Sequence, residues 1–295
     1  DKDKSVRKAK PAANSQAAAA MVAAMGSSGI SFSSFDPNAA SSESEVHTEI
    51  AFTLKKLNKK DSTTKIKALS ELLNIFEGRE GHTDEDICTA LVPWQQQFPA
   101  LVGDIDRRVR EQTFVVMKAL VLKVKRSMGK VIKALMFSWL KGMYDPESSV
   151  RTTAKASFSS AFAPNKVADA FLHCRQEIIE SVDENVRHSV QTLCDPKLYT
   201  KEEAEEMFER TLSSSLHAAA FVLDTLSPEQ AATFHAGLDT VLSAPAFWRF
   251  AAHPSVLVRT GFYSFVRSLT RALPTLLHDP SRGDDARLKA ASQAV

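Results

Sequence analysis

The sequence comprises 295 residues, 44% of them hydrophobic and 24% charged, with a formal net charge of +2. This composition is typical of a folded protein rather than a disordered chain. No apolar run reaches the roughly 18 residues of a membrane span, so we expect no membrane contact. The spacing of Cys88, Cys174 and Cys194 fits neither a zinc site nor a disulfide framework. We therefore expect reduced thiols, no structural metal and a cytosolic location.

Residues 1–45 differ in composition from the rest of the chain, being basic at the start, Ala-rich in the middle and Ser/Gly-rich at the end. This predicts a flexible tail, although apolar residues between positions 30 and 35 leave open an anchored extended segment. We expect the folded domain to occupy residues 46–295. Because residue 1 is Asp and Gly283–Val295 has the pattern of a helix start, we expect the domain to continue beyond the chain.

The first half of the domain shows apolar residues at helical spacing. A cap at Asp61 or Ser62 predicts a helix that ends at Gly78. A third helical stretch, over residues 83–102, contains two prolines at which it should bend or break.

The clearest helix pattern covers Asp104–Arg126 and is followed by a partner helix over 128–144. Asp145 and Pro146 then predict a helix cap with proline at the first helical position. The apolar stripe of the first helix contains Val109, Val116, Met117, Leu120, Val121 and Val124.

The second half begins with the signature of a long helix. Capping boxes at Thr200 and Ser227 predict helices over 200–226 and 228–243. The last clear helix pattern spans 254–273.

A Val-Arg pair recurs along the chain, at 109/110, 150/151, 186/187 and 258/259, with gaps of 41, 36 and 72 residues. Since 72 is twice 36, the pairs indicate a period of 36 to 41 residues. Such a period in a helical chain is typical of solenoids built from helix pairs. The sequence therefore predicts an all-α fold, an α-solenoid of HEAT/armadillo-like helix pairs.

The sequence contains no phosphate-binding loop, dinucleotide-binding glycine pattern, nucleophile elbow or zinc-protease helix. The repeated arginines Arg110, Arg151 and Arg259 fit a structural role better than ligand binding. We expect them to join hydrogen-bond ladders between helices, with Asp145 or its equivalents as acceptors. The aromatic residues of Ala246–Ala251 are likewise expected to pack in the core.

Positive charge is concentrated in two places. Residues 55–67 contain six Lys and one Asp, and residues 104–133 carry nine basic and three acidic side chains. Turns along one edge are the usual binding surface of a solenoid, and clustered lysines can neutralise phosphates. The alternative is a set of ordinary solvated helix faces. We predict that a partner binds the residues around two such turns, namely Lys55, Lys56, Lys59, Lys60, Arg107 and Arg108.

Three segments resemble the N-terminal region of the listerin family of RING-type E3 ubiquitin ligases. They are Leu54–Leu72 (LKKLNKKDSTTKIKALSEL), the block with DIDRRVRE and LKVKR within Asp104–Arg126, and Ala246–Val266 (AFWRFAAHPSVLVRTGFYSFV). The segments keep their order and approximate spacing, and the resemblance covers nearly the whole chain.

The resemblance implies a role in ribosome-associated quality control. It implies that this chain docks on a large ribosomal subunit, through rRNA and proteins, beside the quality-control factor that recognises peptidyl-tRNA. The stalled nascent chain would be ubiquitinated by a distant RING, which binds zinc and recruits the ubiquitin-conjugating enzyme. Three cysteines without metal-ligand spacing cannot form a RING, so we expect no cofactor and no catalytic site in this chain.

Two other functions stay open at the level of sequence. The segment DSTTKIKALSEL resembles the second helix of TOG-type repeats, which are tubulin-binding HEAT arrays with basic loops. The Trp that this family carries in its first loop is missing from Asn58–Asp61. The third possibility is a generic HEAT scaffold such as a transport receptor.

Overall fold

The computed structural model describes residues 46–78 and 81–277, and over these residues the chain is helical and contains no β-strand. The helices are α1 (Thr48–Lys56), α2 (Ser62–Phe76), α3 (Asp84–Thr89), α4 (Leu91–Val102), α5 (Arg107–Val124), α6 (Ile132–Gly142), α7 (Ser148–Ala161), α8 (Val167–His173), α9 (Arg175–Arg187), α10 (Val190–Leu193), α11 (Lys201–Thr225), α12 (Pro228–Ala232), α13 (His235–Leu242), α14 (Pro245–Trp248), α15 (Val256–Ala272) and α16 (Pro274–Leu277). Short 3-10 helices occupy Lys125–Lys130, Pro164–Lys166 and Arg249–Ala252. The predicted tail over 1–45 and the helix start over Gly283–Val295 lie outside the described residues.

Successive helices in the first half form hairpins that stack in two layers. Helices α2, α5 and α7 lie side by side, and α4 and α6 pack against them as the second layer. Each hairpin buries one apolar stripe against its neighbour, which is how a solenoid builds a continuous core. The predicted all-α architecture of HEAT/armadillo-like helix pairs is confirmed.

Helix α11 connects this stack to the second half. It is 25 residues long, packs on α6 and α9, and makes its most extensive contact with α15. Small residues allow the close approach: a Cβ on Gly261 would lie 3.0 Å from the backbone oxygen of Ser213. The Ser213 hydroxyl donates a hydrogen bond of 2.9 Å to the Leu257 carbonyl, which fixes the contact.

Helix α5 is the centre of the first half, as the sequence predicts. Its six stripe residues are all buried, and Asp106 caps the helix by accepting a hydrogen bond from the Arg108 amide. Fully burying one such side chain stabilises the fold by roughly 1.5–3 kcal/mol. The ring of Phe114 fills the space over Gly142, where a Cβ would lie 1.9 Å from Cζ.

The helical stretch over 83–102 is broken, but not at its prolines. The break lies at Ala90, between α3 and α4. Pro93 stands in the first turn of α4, where backbone N–H groups have no helical partner and proline removes nothing. Pro99 is tolerated inside α4.

Two further expectations about helix ends are wrong. Asp145 does not cap α7 and Pro146 is not its first residue: α7 begins at Ser148, after Glu147. Asp145 is instead buried, because a tertiary partner engages its carboxylate. The predicted helix over 228–243 is divided into α12 and α13, since the chain turns at Thr233 to bury Phe234.

Candidate functional site

The repeated arginines share one local geometry. In each case Nη1 donates two hydrogen bonds to the carbonyls of the residues six and five positions earlier. The oxygen acceptors are those of Asp104 and Ile105 for Arg110 at 2.8 and 2.9 Å, Asp145 and Pro146 for Arg151 at 2.7 and 2.5 Å, and His253 and Pro254 for Arg259 at 2.6 and 2.9 Å. Each guanidinium therefore closes the turn that precedes its own helix.

The pair at 186/187 does not belong to this set. Arg187 is the last residue of α9 and binds Asp183, one helical turn earlier, at 2.7 Å. The equivalent positions are therefore 109/110, 150/151 and 258/259, so the 36- and 72-residue gaps measured to Val186 do not mark repeat units.

Of the three arginines, Arg110 also contacts the next hairpin, and within the described residues it is alone in doing so. Its Nε and Nη2 donate to the two carboxylate oxygens of Asp145 at 2.8 and 3.3 Å. The Asp104 carboxylate pairs with Lys65 of α2 at 2.5 Å, and the Arg210 side chain of α11 donates to the Asp104 carbonyl at 3.0 Å. Burial, followed by repulsion from Arg110, lowers the pKa of Arg210. This buried polar cluster holds α2, α5, the α6–α7 turn and α11 together.

The same cluster aligns two turns on one edge of the domain. The Lys65–Asp104 pair joins α2 to the α4–α5 turn. Asp106 accepts side-chain hydrogen bonds from Arg108 and from Ser62. The contact with Arg108 has the larger effect and that with Ser62 a smaller one, and both lower the pKa of the Asp106 carboxyl. The start of α2 therefore lies beside the start of α5, as the predicted basic edge requires.

The four lysines of this edge are not equivalent. Lys56 binds Glu71 at 2.6 Å and lies 4.9 Å from the centre of the Phe52 ring. Lys55 is exposed in the last turn of α1. Lys59 and Lys60 are exposed in the turn itself and make no ion pair with the residues that the structure describes. The uncompensated charge of the edge is therefore concentrated on Lys59 and Lys60.

The two arginines at the start of α5 are exposed but have acidic partners. Arg108 makes a bidentate contact with Asp106, at 3.1 Å from Nε and 2.7 Å from Nη2. That contact raises the pKa of Arg108 and lowers the pKa of Asp106. Arg107 lies 3.8 Å from Glu147 of the next turn. The sequence could not indicate the pairing of Arg107 with Glu147, because that contact depends on tertiary structure.

The aromatic segment before α15 contributes to the core. Phe247 is fully buried, and its ring lies 5.1 Å from the Phe262 ring at an angle of 47°. The Trp248 indole donates a hydrogen bond to the Leu242 carbonyl at 2.9 Å. These contacts use the hydrogen-bonding group and the faces that a ligand would need.

A groove of about 700 Å³ lies between the end of α5 and α8, and no sequence motif indicates it. Lys125 at its rim has φ 47° and ψ −115°, a conformation that costs a residue with a side chain about 1–3 kcal/mol. Burial raises the pKa of the Cys174 thiol, which lines the groove, to about 11. The groove is invisible in the sequence because its walls come from separated segments.

Membrane insertion finds no support in the described part of the chain. Over residues 46–78 and 81–277, no helix combines the length and the apolar character that crossing a bilayer requires.

Comparison with known proteins adds a family to this geometry. The family model described as E3 ubiquitin-protein ligase listerin, N-terminal domain, matches residues 41–288. The listerins of Gallus gallus and Mus musculus are each 30% identical to this chain over 80% of its length, and that of Drosophila melanogaster is 29% identical over 83%. The matched region is 13–14% of the length of these curated relatives.

Among solved structures, a designed armadillo repeat protein is 14% identical with a TM-score of 0.32, covering 75% of this chain and 99% of the designed one. That score is too low to bear on the fold, which rests on the helix pairs themselves. The family model covers most of the chain, including the basic turn, the central helix and the last repeat. The chain therefore belongs to the listerin family of E3 ubiquitin-protein ligases and corresponds to the N-terminal domain of that family.

Proposed function

We propose that this domain is the docking end of a listerin-type E3 ubiquitin ligase. It binds the large ribosomal subunit that carries a stalled nascent chain, beside the quality-control factor on the peptidyl-tRNA. A RING elsewhere in the full-length protein, with its bound zinc, receives the ubiquitin-charged conjugating enzyme and directs ubiquitin to the nascent chain. The work is done in the cytosol, where stalled ribosomes occur. Membership of the family supports this proposal.

One observation carries the choice of docking surface. Lys59 and Lys60 are exposed on a turn and have no ion pair within the described residues, and the turn lies beside the start of α5. Two exposed ammonium groups on a turn can approach the phosphates of rRNA or an acidic protein surface at little desolvation cost. Lys55, Lys56, Arg107 and Arg108 form the margin of that surface and contribute less where they are already paired.

The test is co-sedimentation with purified large ribosomal subunits at about 50 and about 200 mM salt. Contacts to phosphate release counterions, so binding should weaken steeply between the two concentrations. The variant Lys59→Glu/Lys60→Glu should bind at least about 10-fold more weakly at low salt and should show a shallower salt dependence. Its melting temperature should stay close to that of the wild type, because exposed substitutions change stability by under about 0.5 kcal/mol.

The matched control is Lys118→Glu/Arg267→Glu, which reverses two exposed charges elsewhere on the domain. This control should bind like the wild type, since the total charge change is the same and only its place differs. If both double variants lose binding equally, the effect is one of net charge and the basic turn is not the docking surface. Binding to microtubules but not to ribosomal subunits would favour the TOG-type alternative and overturn the proposal.

A further inference from the structure

Two histidines and a glutamate meet at the beginning of the folded domain. The candidate ligand atoms of His47, Glu49 and His82 all lie within 4.8 Å of one another. The two imidazole rings are 4.6 Å apart and nearly perpendicular, and Nε2 of His82 lies 3.2 Å from a carboxylate oxygen of Glu49. A carboxylate and two imidazoles in one place are the ligand types that zinc takes in proteins.

The buried and unpaired Nε2 atom of His82 distinguishes this cluster from a chance grouping of surface side chains. Its side chain is only 6% exposed, yet Nε2 has no hydrogen-bond partner among the described residues. The Glu49 oxygen is near enough for an ion pair but badly aligned for a hydrogen bond. A buried nitrogen without a partner loses its hydration and gains nothing in return, which costs free energy. A metal ion at the centre of the cluster would accept the lone pair of that nitrogen.

The other two side chains are free to complete the site. His47 is the N-cap residue of α1, but its side chain makes no capping hydrogen bond. Both His47 and Glu49 are exposed and can rotate, whereas the His47 backbone is tied to α3 by a contact of 3.4 Å from its amide to the Thr89 hydroxyl. Ligands bound to tetrahedral zinc at about 2.0–2.2 Å stand roughly 3.3–3.6 Å apart, so a modest inward rotation suffices.

We propose that His47, Glu49 and His82 bind one Zn²⁺ ion, with water as the fourth ligand. Imidazole nitrogen favours zinc over calcium or magnesium, which prefer sites made entirely of oxygen. The carboxylate of Asp86 lies near both imidazoles and adds negative potential at the site.

The ion would join the start of α1 to the loop that follows α2. His82 belongs to the loop between α2 and α3, whereas His47 and Glu49 open α1, so the ion links two segments that are distant in sequence. Sequence rules for zinc look for closely spaced cysteines and histidines, and they overlook this site because its two histidines are brought together only by folding.

The test uses the protein stripped with EDTA and titrated with ZnCl₂ in a calorimeter. Wild type should bind one equivalent, and a hundredfold excess over the dissociation constant should raise its melting temperature by roughly 5 °C. His47→Ala, Glu49→Gln and His82→Ala should each weaken binding at least about 10-fold, since even outer-shell changes cost this much at metal sites. Cobalt should give the visible absorption of a tetrahedral site in wild type only.

The control is His188→Ala. His188 lies 3.7 Å from Glu184, which is a similar histidine–carboxylate pair without a second imidazole, so this variant should bind zinc like the wild type. His47→Ala and Glu49→Gln alter exposed side chains, and melting in EDTA confirms that they are folded even if His82→Ala is not. Undiminished zinc affinity in these two variants, or no zinc binding by wild type, would overturn the proposal.

Discussion

The guanidinium of Arg110 and the carboxylate of Asp145 form a buried bidentate pair that joins α5 to the turn between α6 and α7. The side chains are 3% and 5% exposed, and the Nε–Oδ2 distance is 2.8 Å. Asp145 Oδ1 also accepts the Glu147 amide at 2.8 Å, so the carboxylate organises the start of α7 from within the core. Because both charges have left water, each depends on the other for compensation.

Breaking this pair from one side should therefore be costly. We expect Asp145→Ala or Arg110→Ala to lower the free energy of unfolding by about 3–5 kcal/mol, because each leaves a buried charge unpaired. The double variant Arg110→Ala/Asp145→Ala should cost less than the sum of the two single variants, because it leaves neither charge buried without its partner. The measurement is urea unfolding across a double-mutant cycle, and strict additivity would show that the two groups do not interact.

Arg151 and Arg259, which close their own turns, should each contribute less to stability than the Arg110–Asp145 pair, and their contributions should be similar. Arg151→Ala and Arg259→Ala each remove a donor shared by two backbone carbonyls, so we expect a loss of about 1–3 kcal/mol. Arg187→Ala is the control: it removes an exposed pair one turn apart and should cost no more than about 0.5 kcal/mol. If Arg151→Ala leaves the unfolding midpoint unchanged, a role in ligand binding would have to be considered for that residue.

Gly142 should not tolerate alanine. Helix propensity alone favours alanine over glycine inside a helix by about 1 kcal/mol. The new methyl group would meet the Phe114 ring, and we expect a net loss of about 2 kcal/mol from overpacking. Phe114→Leu in the same chain should recover part of that loss by opening space. Thermal unfolding of the two single variants and the double variant provides the measurement, and a stabilised Gly142→Ala would contradict the packing.

Lys141 should make the stability depend on pH above neutrality. Burial lowers its pKa in the folded state to about 8, helped by Arg210 and opposed by Glu184. An unfolded lysine keeps its proton to about pH 10.4, so between roughly pH 8 and 10 the unfolded state binds more protons. The contribution of Lys141 is therefore least favourable below pH 8 and improves as pH rises through this window. Lys141→Met should gain roughly 1 kcal/mol at pH 7, which is less than the pKa implies, because the residue as a whole is only half-buried.

The measurement is the difference between wild type and Lys141→Met, since other groups titrate in the same range. Burial raises the pKa of Cys174 to about 11 and that of Tyr144 to about 12, and both groups act in the opposite direction. Subtracting the two stability curves cancels these effects. A difference that stays constant from pH 7 to pH 10 would contradict the shifted pKa of Lys141.

Local patterns predicted the elements whose stability is local. The stripe of α5 and the capping boxes at Thr200 and Ser227 were read correctly, because periodicity and capping need only a few neighbouring residues. The prediction that Asp145 caps a helix is wrong because the position of this side chain depends on a distant residue. An acid followed by proline before a helix has the pattern of a cap, and only the distant Arg110 shows why this carboxylate turns inward.

The candidate site divides in the same way. The sequence predicted a cluster of lysines around a turn, and the structure places that turn beside the start of α5. It could not predict the ion pairs of Lys56 with Glu71 and of Arg107 with Glu147, because these acidic partners lie in other elements of the fold. Nothing local marks the approach of His47 to His82, which comes about only when the loop between α2 and α3 folds against the start of α1.

The turn-closing arginines also bear on how such a domain can change in length. Arg151 and Arg259 fasten the carbonyls of their own turns. Each of these two turns is thus stabilised by contacts within seven consecutive residues. These contacts do not fix the position of the next helix pair. Segments can be inserted between units, as the long α11 is here, without disturbing the turns on either side. A chain built in this way can lengthen, shorten or acquire irregular units during evolution while each corner keeps its shape.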